Sequence, residues 1–185
     1  MRTTTRLRQL LNARRTIVAP GCYNALSAKI LDTVGFPALY MTGYGTSLSL
    51  LGMPDAGLCT MTEMHVNARY IANAVKVPVI ADADNGYGNA INVIRTVREY
   101  VQTGVAAIHL EDQIIPKRCG HVAGRRVVPV EEARKLERLL KDKGQPCEIK
   151  VYPGQGHDFD AATTRDAGQR TKEFLDRRLK GNTVP

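Results

Sequence analysis

Three carboxylates, Asp82, Asp84 and Glu111, come directly after two apolar runs of the chain, where strands would end. Neighbouring parallel strands lie about 5 Å apart. Three carboxylates that close repel one another unless a cation or protons intervene. Oxygen ligands alone favour Mg²⁺ or Mn²⁺ over Zn²⁺, so these residues predict a site for a hard divalent cation. The alternative is structural, with Asp82 capping a helix and Glu111 pairing with a lysine.

Cys119 is the second feature with a chemical use. It is preceded by Lys117 and Arg118 and followed by Gly120 and His121. Because neighbouring positive charge favours the thiolate, this side chain could donate or accept a proton. A cation beside such a thiol suits cleavage of a carbon–carbon bond next to a carboxylate. The alternative is an inert loop thiol.

The elements that would position these residues alternate between apolar runs and amphipathic stretches. Strands are predicted at residues 17–19, 37–41, 77–81 and 106–110, and helices at about 26–34, 61–75 and 90–101. Thr60 with Glu63 has the pattern of a capping box, and Gly35 is placed to end the first of these helices. The apolar character of the strands is continuous, which is typical of buried parallel β-structure. Polar residues follow the strands' carboxyl ends, where such folds place their sites.

Composition excludes several classes of function. The chain has 185 residues and a formal net charge of +8, and the positive excess is divided evenly between residues 1–132 and 133–185. No basic stripe is interleaved with aromatic residues, so we expect no nucleic-acid partner. The longest apolar run is too short to span a membrane, and no signal core follows the first residues, so we expect a cytoplasmic protein. The four cysteines have no paired spacing and indicate reduced thiols.

Residues from about 5 to 132 resemble the isocitrate lyase/phosphoenolpyruvate mutase superfamily. Five segments carry the resemblance, in this order: Tyr-Met-Thr-Gly-Tyr at 40–44, Gly-Met-Pro-Asp at 52–55, Ala-Asp-Ala-Asp-Asn-Gly-Tyr-Gly at 81–88, His-Leu-Glu-Asp at 109–112 and Lys-Arg-Cys-Gly-His at 117–121. The resemblance implies an α/β fold of the (β/α)₈ barrel type, of which this chain would hold about four βα units.

The resemblance also implies roles for the residues in these segments. Asp82, Asp84 and Glu111 would hold Mg²⁺ (or Mn²⁺), partly through water. Segment 40–44 would hold the 2-oxo or 2-hydroxy carboxylate of the substrate, and segment 117–121 would belong to a mobile loop that closes over it. The implied catalytic residues are Cys119 and Asp55, a carboxylate near the metal. The implied substrate-binding residues are Tyr40, Thr42, Gly43, Tyr44, Lys117, Gly120 and His121.

A cysteine at position 119 resembles the lyase branch of the superfamily, in which it is the general acid/base at the released carbon. We therefore predict a Mg²⁺-dependent carbon–carbon lyase of the isocitrate, methylisocitrate or dimethylmalate type. It would cleave a 2-hydroxy- or 2-oxo-dicarboxylate through an enolate-like intermediate and form homo-oligomers. A carboxyphosphonate phosphorylmutase-like enzyme is an alternative. The loop at 116–124 has little apolar surface, so we expect it to be exposed and mobile without ligand.

The family pattern is expected to stop near Glu132, before the fifth strand and its substrate-binding arginine. Residues from about 133 to 180 resemble instead the C-terminal end of the dienelactone hydrolase family, through the string Val-Tyr-Pro-Gly-Gln-Gly-His-Asp-Phe at 151–159. Here we predict a helix at 133–143, a strand at 147–152 and a helix at 164–180. The predicted domains are therefore a half-barrel, 1–132, and an α/β-hydrolase-like βα tail, 133–185.

His157 matches the triad base of the hydrolase family, but the chain has no Gly-x-Ser/Cys-x-Gly nucleophile elbow. A dienelactone-type hydrolase is therefore a weak alternative to the lyase. The other alternative is a non-catalytic protein that keeps the lyase motifs but lacks half of the barrel.

Overall fold

The computed structural model describes residues 1–13, 16–144, 147–153 and 160–179. The chain divides into two compact units, residues 1–126 and 127–185. The boundary predicted at residue 132 separates two family resemblances, whereas the two units are defined by their compact structure. The predicted boundary therefore stays a prediction. In the described ranges, no helix combines the length and the apolar character needed to cross a bilayer.

The first unit is an α/β structure built on four parallel strands. Its elements are α1 (Thr3–Asn12), β1 (Gly21–Cys22), α2 (Ala25–Val34), β2 (Leu39–Met41), α3 (Gly43–Leu51), α4 (Met61–Ala74), β3 (Val79–Asp82), α5 (Ala90–Val101) and β4 (Ala107–His109). The strands lie in the order β1-β2-β3-β4. Met41 is paired with Ala81, and Asp82 with His109. The residues that follow β2, β3 and β4 therefore meet at one edge of the sheet, and the predicted α/β class is confirmed.

Local sequence signals determine where the helices of this unit begin and end. The Thr60 hydroxyl accepts the N–H of Glu63 at 3.3 Å, and the Glu63 carboxylate accepts the N–H of Thr60 at 2.7 Å. This confirms the capping box predicted for α4. Gly35 follows α2 with φ = 94°, a left-handed conformation that costs glycine little, and it ends that helix as predicted.

The core lies between the sheet and the helices that cover it. It includes Cys22, Ala28, Leu39, Met41, Met64, Ala68, Ile71, Val79, Ala81 and Tyr100. The Tyr100 hydroxyl lies 3.4 Å from the backbone oxygen of Asp82 and 3.1 Å from the hydroxyl of Tyr87. Cys22 is fully buried in this core, and burial raises the pKa of its thiol to about 11, so this cysteine is a packing residue.

Two features of the first unit differ from the prediction. The strand predicted at 17–19 is wrong, because β1 lies at Gly21–Cys22, where the backbone pairs with Tyr40 and Met41 of β2. Helix α3 was not predicted, because its sequence is rich in glycine and serine and carries no clear apolar stripe. It forms because Thr42 caps it, accepting the N–H of Gly45 at 3.3 Å.

The described part of the second unit contains two helices, α6 (Val130–Asp142) and α7 (Ala161–Leu179). Both predicted helices are confirmed, and each begins three residues earlier than predicted. The predicted strand at 147–152 is wrong. Its alternating pattern needs a neighbouring strand for ladder hydrogen bonds, and the described residues of this unit provide none. His157 lies outside the described residues.

We predict that Met64→Ala destabilises the first unit by about 2–5 kcal/mol, because Met64 is 1% exposed and its truncation leaves a cavity in the core. Met53→Ala is the matched control. Since Met53 is 48% exposed, this change should cost less than about 0.5 kcal/mol. Urea denaturation followed by circular dichroism measures both values, and equal effects of the two substitutions would contradict the described core.

Candidate active site

The backbone turns sharply at the end of β3, and this turn brings two carboxylates together. Asp82 is the last residue of the strand, and Asp84 has φ = 48°, an uncommon left-handed conformation for a residue other than glycine. The N–H of Asp84 donates to Oδ1 of Asp82 at 2.9 Å. Both side chains are buried. The exit from the strand is therefore made by Asp84 itself and by Gly86, whose φ is 80°.

Gly43, at the start of α3, approaches the Asp82 carboxylate closely. Its N–H donates to Oδ2 of Asp82 at 3.2 Å. A Cβ atom at position 43 would lie 2.6 Å from the same oxygen, so only glycine fits there without displacing Asp82. The start of a helix is partially positive, which favours a carboxylate at this place. The segment predicted to hold the substrate carboxylate thus already holds a protein carboxylate in this structure.

Lys117 forms a buried ion-pair cluster with two carboxylates. Its side chain is 4% exposed, and Nζ lies 2.7 Å from Oδ1 of Asp55 and in closer contact with Oδ1 of Asp84. Burial lowers the pKa of Lys117, but the Asp84 and Asp55 carboxylates outweigh it and raise that pKa above its ordinary value. Burial raises the pKa of Asp84 to about 6, although Lys117 opposes this shift. One ammonium thus neutralises part of the carboxylate cluster.

The loop that carries Lys117 is anchored rather than free. The N–H of Cys119 donates to the backbone oxygen of Asp55 at 2.9 Å, and the N–H of Val122 donates to the oxygen of Cys119 at 2.9 Å. Sγ of Cys119 lies 3.7 Å from Nδ1 of His121. The expectation of an exposed loop is confirmed for residues 121–124 and wrong for Lys117, because its two carboxylate partners hold it inside. Mobility of the loop stays a prediction.

Glu111 and Gln113 complete the site after β4. The N–H of Glu111 donates to the backbone oxygen of Asp84 at 2.8 Å, which ties the two strand ends together. Nε2 of Gln113 donates to Oε2 of Glu111 at 2.6 Å. Sequence reasoning missed Gln113. Its position between the carboxylate segment 109–112 and the loop segment 117–121 was the available signal.

Tyr40, on β2, is close enough to the three carboxylates to feel their charge. Its hydroxyl lies 3.0 Å from Nδ1 of His109. Burial raises the pKa of Tyr40, and the negative charges of Asp82, Glu111 and Asp84 raise it further. Tyr40 therefore keeps its proton at neutral pH and can donate a hydrogen bond. The carboxylates that follow β3 and β4 thus influence this residue of β2 through their charge.

The remaining predicted residues lie around this cluster. Thr42 caps α3, and the Tyr44 side chain is exposed. The backbone oxygen of Gly120 accepts a hydrogen bond from the Arg125 guanidinium. A cleft of 510 Å³ opens beside the cluster and is lined by residues 56–62, by parts of α5 and its preceding loop, and by Asp84 and Lys117. Lys117 thus lies at the border between this cleft and the carboxylates.

The fit of a metal ion depends on the donor atoms at the site and on the hydrogen-bond and ion-pair partners that these atoms already have. The described residues contain no group of three His, Cys, Asp or Glu side chains arranged around one point as a metal shell. Asp82 is held by backbone N–H groups, Asp84 by Lys117, and Glu111 by Gln113. The donors are carboxylate oxygens, which fit a hard divalent cation. A cation at Asp84 would take the place of the Lys117 ammonium, and the metal site stays a prediction.

We predict that Lys117→Met destabilises the first unit by about 3–5 kcal/mol, because it leaves the buried Asp84 and the mostly buried Asp55 without a counter-charge. The double variant Lys117→Met, Asp84→Asn should recover at least about 1 kcal/mol of this loss, since partners in one ion-pair network are not additive. Urea denaturation of the four proteins of this cycle gives the coupling energy. Lys76→Met, at an exposed lysine, is the control, and additive effects in the cycle would contradict the buried ion pair.

A family model described as phosphoenolpyruvate phosphomutase matches residues 7–151. The match extends beyond residue 132, where the family pattern was expected to stop. The chain is 57% identical over 132 residues to a 2,3-dimethylmalate lyase of Eubacterium barkeri, with 71% of this chain and 46% of the lyase covered.

Two solved structures are similar to this chain. Oxaloacetate acetylhydrolase in complex with the inhibitor 3,3-difluorooxalacetate has a TM-score of 0.68 and 46% identity, covering 75% of this chain and 50% of that one. Phosphonopyruvate hydrolase in complex with oxalate and Mg²⁺ has a TM-score of 0.64 and 34% identity, covering 72% and 45%. The chain thus spans about half the length of the relatives it matches. With a family model over most of its length, it belongs to the isocitrate lyase/phosphoenolpyruvate mutase superfamily.

Proposed function

We propose that this protein is a Mg²⁺-dependent carbon–carbon lyase that cleaves a 2-hydroxy- or 2-oxo-dicarboxylate. The observation that carries the proposal is the chain of hydrogen bonds that brings Asp82, Asp84 and Glu111 together at the strand ends: the Asp84 N–H donates to the Asp82 carboxylate, and the Glu111 N–H donates to the Asp84 backbone oxygen. The backbone N–H of Cys119 donates a hydrogen bond to the backbone oxygen of Asp55, which belongs to the adjoining ion-pair cluster. The site would therefore place cation ligands near a thiol, and family membership supports the lyase chemistry.

Mg²⁺, or Mn²⁺, would be held by the carboxylates of Asp82, Asp84 and Glu111, because they are the oxygen donors gathered at the strand ends. When bound, such a cation polarises the oxygens of a substrate and stabilises the negative charge that develops on them. A solved relative was crystallised with oxalate and Mg²⁺, and oxalate is a dicarboxylate with adjacent oxygens. This supports a 2-oxo or 2-hydroxy acid as the group recognised here.

The chain's own residues would bind and orient the substrate. The Tyr40 hydroxyl, protonated at neutral pH because its pKa is raised by burial and by the carboxylates, would donate to a substrate oxygen. Thr42, Gly43 and Tyr44 would hold the substrate carboxylate at the start of α3, where the helix dipole favours an anion. On the loop, Lys117, Gly120 and His121 would face the substrate from the other side.

Cys119 would move the proton. Cleavage of the carbon–carbon bond leaves an electron pair on the released carbon, and Sγ of Cys119 would donate its proton there; in the reverse direction the thiolate removes that proton. His121, whose Nδ1 lies 3.7 Å from Sγ, would hydrogen-bond the sulfur during this transfer. The loop keeps water from the carbanion by closing over it.

The choice of substrate class follows the relatives. One is a 2,3-dimethylmalate lyase and another an oxaloacetate acetylhydrolase, and both names denote four-carbon dicarboxylate frameworks. We propose the same class for this chain rather than one acid. A carboxyphosphonate phosphorylmutase-like activity is the alternative within the superfamily.

A protein that keeps the motifs without activity is the second candidate. One observation favours it: the Lys117 ammonium contacts Asp55 and Asp84 where a cation would otherwise be needed. We also propose that the four strands are part of a (β/α)₈ barrel and that the residues after 132 derive from a dienelactone hydrolase-like segment. We further propose that the protein is located in the cytoplasm and forms homo-oligomers.

We predict that the protein binds Mn²⁺ and that Glu111→Gln weakens this binding by at least about tenfold, because one anionic oxygen ligand is lost. The exposed neighbour Asp112 gives the matched control, and Asp112→Asn should leave the affinity within about twofold. The electron paramagnetic resonance signal of free Mn²⁺ measures binding directly. Equal affinities for the two variants would contradict the metal site.

We predict that the protein with Mg²⁺ releases glyoxylate, pyruvate or a related oxo-acid from at least one member of a panel of 2-hydroxy- and 2-oxo-dicarboxylates. Cys119→Ser should lower kcat by about 10²–10⁴-fold, the usual contribution of a general acid or base. A coupled dehydrogenase assay detects the product, and Cys147→Ser is the control. A turnover of about 1 s⁻¹ would exclude the alternative of an inactive protein. If no acid in the panel gave a product, that alternative would be supported.

A further inference from the structure

Gln113 is a buried polar residue to which the proposed mechanism gives no role. It is 8% exposed, and its carboxamide makes three hydrogen bonds. Nε2 donates to Oε2 of Glu111 at 2.6 Å and to the backbone oxygen of Arg118 at 2.8 Å. Oε1 accepts the backbone N–H of Arg118 at 3.1 Å. The side chain thus pairs with both polar groups of one residue of the loop and with a carboxylate of the site.

The partners fix the orientation of the amide. Exchanging Oε1 and Nε2 would place an oxygen against the Glu111 carboxylate and the Arg118 carbonyl, and a donor against the Arg118 N–H. Only the observed orientation satisfies all three partners. The backbone is held as well, because Nδ2 of Asn85 donates to the backbone oxygen of Gln113 at 3.2 Å.

These bonds act at the centre of the loop. Lys117 is fixed by its ion pairs to Asp55 and Asp84, and Cys119 by the bond from its N–H to the Asp55 oxygen. Arg118 lies between them, and Gln113 is the partner of its N–H and C=O groups. Asp55 therefore holds Cys119 toward the loop that follows α3, whereas Gln113 holds it toward Glu111.

We propose that Gln113 is a positioning residue that fixes the place of Cys119 relative to the Glu111 carboxylate through the peptide of Arg118. The inference rests on the proposed function, since it matters for catalysis only if Cys119 transfers a proton beside Glu111. The positioning itself is a property of the loop and is measurable without turnover.

Loss of the carboxamide releases the loop locally. In Gln113→Met the side chain keeps its length and apolar stem, but the Glu111 carboxylate and the Arg118 peptide lose their partner. The Asp55 contacts and the core of the unit are unchanged. Cys119 therefore becomes more reactive while Cys22, fully buried in the core, stays protected.

The experiment is timed alkylation with iodoacetamide, followed by trypsin digestion and mass spectrometry. The sequence places Cys22, Cys59, Cys119 and Cys147 in separate tryptic peptides, so each thiol is followed individually. We expect Gln113→Met to raise the alkylation rate of Cys119 by about tenfold, as the loss of a hydrogen bond to a charged group predicts. The rate at Cys22 should not change. Gln102→Met, the same substitution at an exposed glutamine, is the matched control and should leave all four rates unchanged.

Gln113→Glu is the second variant, because it has the same shape but places a carboxylate against Glu111 and the Arg118 carbonyl. It should release Cys119 at least as strongly as Gln113→Met. The proposal is overturned if either variant folds and its Cys119 is alkylated at a rate within about twofold of that in the protein without substitutions. If both variants expose Cys22 together with Cys119, Gln113 supports the whole fold and the proposal is also overturned. Absence of lyase activity in the unmodified protein would refute the proposed function alone, since the alkylation rates do not depend on it.

Discussion

The repulsion among the carboxylates at the strand ends is the constraint on which the rest of the site depends. Two unit charges 4 Å apart interact by about 4 kcal/mol at an effective dielectric constant of 20, so several buried carboxylates need a positive partner. The structure provides the ammonium of Lys117, in contact with Asp55 and Asp84. Lys117 belongs to the loop that also carries Cys119. The charge balance of the cluster therefore determines where the proposed proton donor lies.

The fold makes this arrangement unavoidable once the strands pair. The parallel register pairs Asp82 with His109 and Tyr40 with Ile80, two residues before Asp82 on β3. Two backbone features then adjust the cluster. Gly43 lets the start of α3 approach the Asp82 carboxylate, and Asp84 adopts a left-handed conformation so that its side chain stays near that of Asp82. Sheet pairing and these two local conformations together explain why Asp82, Asp84 and Glu111 lie at one edge of the sheet.

Sequence reasoning succeeded where the signal was local. The capping box at Thr60, the apolar runs of β3 and β4, and the carboxylates that follow them are readable from neighbouring residues, and the structure has them. It failed where long-range contacts decide. The burial of Lys117 depends on Asp55, far away in the sequence, and the role of Gln113 depends on a loop that folds back onto it. The strand predicted at 147–152 failed for a related reason, since alternation without a pairing partner does not make a strand.

Lys117 has two roles in this account, as a counter-charge for the carboxylates and as a residue that binds the substrate. The sequence resemblance assigns it to substrate binding, whereas the structure places its ammonium between Asp55 and Asp84. In the proposed function these assignments are compatible, because a divalent cation at Asp84 would displace the ammonium and leave it free for a substrate carboxylate. The substrate would then meet a positive charge only after the cation has bound. In the proposed function the cation would therefore bind before the substrate, and the charged groups involved all lie within residues 1–126. A charge-assisted hydrogen bond from the freed ammonium would be roughly twice as strong as a neutral one.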